Sequence, residues 1–100
     1  MKYLLGLLLL PLPALAVECE VPDALWLQAR SAQTFLQRPE LKPCWEAVAS
    51  GGRLQLMLRD DEAARVHGAE LAEWLVALGF ADVPQHVVAD QTARLLLTVE

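Results

Sequence analysis

Leu54, Leu56 and Leu58 alternate with Gln55, Met57 and Arg59. That period of two predicts a strand with one buried face over Arg53–Arg59. A period near 3.6 then takes over. Ala64, Gly68, Leu71, Ala72, Leu75 and Leu78 fall on one stripe and predict a helix from about Asp61 to Leu78. Asp60 is placed to cap it, with Asp61 and Glu62 at the positive end of the helix dipole. Ala63 stands where a reciprocal capping box would need Glu or Gln. Gly68, on the stripe, costs about 1 kcal/mol relative to alanine and predicts a close approach of helix to sheet. Gly79 predicts a left-handed cap, with Phe80 folding back as its apolar partner.

The same patterns set the other elements. Pro22 and Asp23 suit a helix start. Leu25, Ala29, Ala32 and Leu36, flanked by Trp26 and Phe35, carry that helix to Arg38, where Pro39 ends it. A short second helix runs from Pro43 to Ala49 and stops at Gly51. Val83 to Ala89 reads as a strand with Pro84 confined to its start. Asp90-Gln91-Thr92 turns the chain. Arg94 to Val99 is a last strand, with Leu95, Leu97 and Val99 on one face and Leu96 implying partial cover of the other. The order is helix, short helix, strand, helix, strand, strand. A right-handed crossover makes the first two strands parallel, and the last two are expected to form a hairpin. The predicted fold is an α+β two-layer sandwich, with helices on one face of a three-stranded mixed sheet.

Residues 1–16 read as a secretory signal peptide. Lys2 and Tyr3 precede the apolar run Leu4–Leu10, Pro11 and Pro13 break it, and Ala14-Leu15-Ala16 is a small-x-small cleavage site. The run is too short to span a bilayer, which takes roughly 20 apolar residues, and no later segment could do so. Glu18 before Cys19 argues against lipid attachment there. The reading is an exported protein, periplasmic or secreted, with one small domain over residues 17–100. Its Leu/Ala/Arg-rich composition fits a GC-rich Gram-negative bacterium.

Export changes the meaning of the cysteines. In an oxidising compartment Cys19 and Cys44 are most simply a disulfide. The loop they would close is worth about 3.5 kcal/mol in the chain-entropy model. The formal charge is −5, and it deepens when Lys2 leaves with the signal peptide. An acidic domain without a basic run argues against nucleic acid and anionic lipid as partners.

Candidate chemistry is sparse. His67 and Glu70 share a helix face, half of a conceivable metal site, but the preceding turn supplies no third ligand. A solvated helix face explains them, and no metal or cofactor is expected. Ser31 and Ser50 lack a nucleophile motif. Cys19 and Cys44 are too far apart in sequence for the usual dithiol oxidoreductase pair. No catalytic residue is assigned, and the protein is read as non-enzymatic. Trp26, Trp45 and Trp74 are either packing residues or surface anchors for a partner or glycan.

From Pro22 onward the order of elements resembles the C-terminal, peptidoglycan-associated domain of the OmpA-like family. Leu54 to Leu58 followed by Asp60 resembles that family's second strand and the aspartate after it. Glu70 to Phe80, with Trp74-Leu75 and Gly79, is similar to its second long helix. Arg94 to Glu100 is similar to its last strand. The family's leading strand has no counterpart in this reading. The resemblance implies a clamp on the diaminopimelate of cell-wall peptide by an aspartate, here Asp60, and a helix arginine. Arg65 is the nearest arginine, whereas alignment through Trp74 puts His67 at that position. The family's longer loop, with its Asn and Leu-Ser pair, is missing. The partner is therefore expected to be a periplasmic protein or, in the alternative, peptidoglycan.

Overall fold

The computed structural model describes residues 16–100; the signal-peptide reading of residues 1–16 falls almost wholly outside them. The elements are β1 (Val17–Glu20), a 3-10 turn (Asp23–Leu27), α1 (Ala32–Leu36), a second 3-10 turn (Pro39–Leu41), α2 (Lys42–Ala49), β2 (Leu54–Arg59), α3 (Glu62–Ala77), β3 (Gln85–Val88) and β4 (Leu95–Val99). The fold is α+β, with the helices on one face of a mixed sheet. No helix among the described residues is long and apolar enough to cross a membrane.

Among the described residues the sheet has four strands, not three, in the order β1-β4-β2-β3. The added strand is β1. Val17 and Cys19 face the helices and Glu18 and Glu20 face away, so its alternation is that of any half-buried strand. β2 and β3 are parallel, as the helical crossover requires. β3 and β4 do not form the expected hairpin. β4 lies between β1 and β2, antiparallel to both. The physical reason is burial. β4 is nearly all buried, with Leu96 and Thr98 covered on its second face, as a central strand must be, whereas Gln85, His86 and Val87 are exposed.

The predicted first helix is broken. Gln28 is extended at φ −122° and ψ 165°, and α1 starts afresh at Ser31. Ser31 accepts from the Thr34 backbone N–H while Thr34 Oγ1 accepts from the Ser31 N–H. This reciprocal box outcompetes continuation of the helix. Ala29, expected on the buried stripe, is exposed, and Leu25, Trp26 and Phe35 carry the burial.

The start of α3 shifts by one residue. Asp61, not Asp60, is the cap, accepting from the Ala64 N–H at 2.8 Å. That bond and Arg59 hold the Asp61 carboxyl below the usual aspartate range. Gly79 ends the helix at φ 100°, and Phe80 N–H donates to Leu75 C=O. Gly68 does bring α3 close to the sheet. A Cβ there would lie 2.4 Å from Leu58 Cδ2.

Cys19 and Cys44 form the expected disulfide, tying β1 to the first turn of α2. Both are buried in the core with Leu41, Leu56, Leu71, Leu95, Leu97 and Phe35. α2 packs on β1 and β4, α3 packs on β2, and α1 packs on α3. Among the described residues no helix packs to a comparable extent on β3. The helical layer therefore stops one strand short of the sheet edge.

Candidate functional site

Three candidate residues, Trp26, His67 and Trp74, converge along one face of α3. His67 lies flat against Trp26, ring centres 4.2 Å apart and planes 2° from parallel. Trp74 stacks on the same indole at 5.5 Å. Arg30 covers Trp26 with its Cζ 5.3 Å from the ring centre. It also donates to both carboxylate oxygens of Glu70, at 2.5 and 3.0 Å. The 3-10 turn carrying Trp26 and the start of α1 are thus strapped across α3. Trp26 Nε1 finds no acceptor among the described residues, so stacking, burial and the Arg30 guanidinium hold the indole.

The stack continues across the helical layer. Trp74 meets Phe35, Phe35 meets Trp45 edge-on at 5.4 Å, and Trp45 meets Phe80 at 5.9 Å. All three tryptophans are spent on packing. Trp26 is 8% exposed and projects nothing; Trp45 and Trp74 are half-buried within the same chain of rings. The half metal site is also spent. Arg30 occupies Glu70 and holds its carboxyl below the usual range, while His67 Nδ1 faces Arg94 Nη1 at 3.5 Å. Among the described residues no cluster of three potential metal ligands exists.

His67 is accordingly not a freely solvated helix residue. Burial, then the Arg94 and Arg30 charges, hold its pKa below the ordinary histidine value of 6.5. The folded protein therefore binds fewer protons here than the unfolded chain. This contribution to stability is complete above the unfolded pKa and is lost as the pH falls through it toward the folded one. The urea midpoint should fall as the pH drops from about 7 to about 5, and His67→Gln should flatten that fall. An unchanged slope in the variant would place the titrating group elsewhere.

Asp60 and Arg65 do meet. They form an exposed ion pair in the turn between β2 and α3, and such a pair adds little stability. Arg59 and Asp61 pair beside them at 2.5 Å.

The surface around the Phe80–Pro84 loop holds a feature with no local signal in the sequence. A groove of about 440 Å³ lies between the second half of α3 and the start of β3, lined by Ala72, Leu75, Val76, Phe80 and Val83 among others. A second hollow of about 500 Å³ lies across the Phe80–Pro84 loop, against Val48 and Leu54. Asp82 lines both. Val76 and Val87, at 67% and 57% exposure, flank the first groove and the edge beside it. Val87 is in register with the inward-facing Leu58, so it sits on the helix side of β3, where the helical layer has ended. The strand was legible from its apolar run; that none of the described helices covers it was not.

Comparison of the chain with protein-family models, with curated proteins and with solved structures finds no match in any of the three.

Proposed function

We propose that this is an exported, non-enzymatic binding or accessory protein that acts through protein–protein contacts. We place the contact at the β3 edge and the groove beside it. One observation carries this reading: among the described residues the helical layer ends before β3, leaving Val76 exposed on the groove and Val87 exposed on the strand beside it. Burying such a patch against a partner is favourable at about 25 cal/mol per Å² of apolar surface, and concave apolar sites are where ligands usually sit. The tryptophans, by contrast, are engaged inside the domain.

The second reading is cell-wall peptide binding by a reduced OmpA-like domain. Two observations favour it. Strand β1 supplies the leading strand that the resemblance lacked, and Asp60 lies exposed at the end of β2 beside Arg65. Against it, the family's arginine position falls on His67, which is stacked under Trp26.

One experiment separates the two. A photoreactive residue is placed at position 87 or at position 60 in exporting cells, with position 18 on the other sheet edge as control. The first reading expects a discrete protein adduct from position 87 alone, lost on Val76→Glu. Adducts to the sacculus from position 60, with none from 87, would overturn it in favour of the second.

A further inference from the structure

We propose that the partner at this edge is an extended segment that joins the sheet as a fifth strand, with alternate large apolar side chains and a basic residue near each end. The inference rests on the protein-binding reading and specifies what occupies the site.

The backbone of β3 supplies the first argument. Leu56 N–H donates to Pro84 C=O, and Leu56 stands opposite Gln85. In a parallel ladder the residues flanking the opposite position make the bonds. Pro84, His86 and Val88 therefore point their backbone polar groups toward β2, and Gln85 and Val87 point theirs outward. The missing N–H of Pro84 lies on the β2 side, so it costs the free edge nothing.

The contrast between the two edges is the second. Sheet edges are commonly blunted by charge. β1, the other edge strand, carries Glu18 and Glu20. β3 reads Gln-His-Val-Val, without Lys, Asp or Glu. A strand added here would direct every second side chain toward α3, beside Val87 and into the groove under Val76 and Ala72. This is the geometry of strand addition, in which the main chain gives affinity and alternate side chains give specificity.

Charge selects the occupant. Asp82 and Asp90 bracket β3, and neither has an ion-pair partner among the described residues. A second copy of this chain fits poorly. Antiparallel self-pairing centred on His86 sets Asp82 opposite Asp90 and His86 against itself. Self-pairing centred on Gln85 must use Val83, which precedes the strand, and self-pairing centred on Val87 must use Ala89, which has already left it for the turn. A foreign segment with a cation at each end meets both acids instead.

The probe is the peptide acetyl-Lys-Val-Thr-Val-Thr-Val-Thr-Val-Lys-amide, whose valines share the helix side with Gln85 and Val87 when its lysines stand opposite Asp82 and Asp90, with a counterpart carrying Glu at both ends. The protein is isotope-labelled, produced as the full chain in an exporting host, and followed by amide hydrogen exchange. The Lys-ended peptide should protect the Gln85 and Val87 amides, and the Glu-ended one should bind at least about tenfold more weakly. Val87→Pro removes an outward N–H while sparing the bonds to β2, and should abolish binding. If that variant does not fold, Asp82→Lys with Asp90→Lys should invert the preference between the peptides. Equal binding of the two peptides, or no protection at Gln85 and Val87, overturns the proposal. So does concentration-dependent protection of those amides without peptide, which would mean that a second copy occupies the edge. If peptides fail but the adduct from position 87 persists, the partner docks there in another form. If both fail, the protein-binding reading falls as well.

Discussion

Replacing Phe35 with alanine is expected to lower stability by about 3–5 kcal/mol, the usual cost of deleting a fully buried aromatic ring. Phe35 is completely buried and bridges the ring chain, in contact with both Trp74 and Trp45. Its removal leaves a cavity where α1, α2 and α3 converge, and detaches the strap that carries Trp26. A domain of this size is stable by about 5–10 kcal/mol, so the loss approaches half of the total or more. The melting temperature should fall by roughly 15–30 °C, and the near-ultraviolet dichroism of the tryptophans should weaken. Urea titration checks the first number. A change below about 1 kcal/mol would mean that the layer closes over the gap, and that the ring chain is not what holds the helices together.

Loss of the disulfide should come close behind. Replacing Cys19 and Cys44 by alanine releases a closed loop worth about 3.5 kcal/mol, within the 2–5 kcal/mol typical of small secreted domains. The effect should also be local. β1 pairs with a single neighbour, β4, and the bond anchors it to α2. Amides of β1 should lose exchange protection before those of β2 and β4 as denaturant is added. Titration of the unfolded, unreduced protein should find no free thiol. Two thiols, or a stability unchanged by the substitutions, would contradict this account of the bond.

Local signals were legible and long-range ones were not. The Leu54–Leu58 alternation, the stripe and glycine cap of α3 and the disulfide all follow from neighbouring residues or from cysteine arithmetic. β1 follows the same rule, since Val-Glu-Cys-Glu alternates, but it is only four residues long and adjoins the leader-like segment. The first helix misled because alanines at helical spacing mimic a buried stripe, while the Ser31-Thr34 box that interrupts it is a weaker pattern. The position of β4 between β1 and β2 is a global choice. It is visible in hindsight from Leu95-Leu96-Leu97, which is apolar on both faces of the strand.

The candidate sites divide along the same line. Asp60 and Arg65 are close in sequence and meet. In the sequence His67, Trp26 and Trp74 read as separate ligand and anchor residues. The fold brings them together as one packed stack, because residues far apart in the chain share α3 and its strap. Exposure of the β3 edge depends on how far the helical layer reaches, which no local pattern encodes.

The central claim is that β3 is an open edge, and native-state amide hydrogen exchange of the free, dilute protein tests it most directly. The ladder predicts that His86 and Val88 are protected, while Gln85 and Val87 exchange at rates close to those of an unstructured chain. Equal and strong protection of all four amides in the monomer would mean that the edge is already covered, and would contradict the assignment of this surface to a partner.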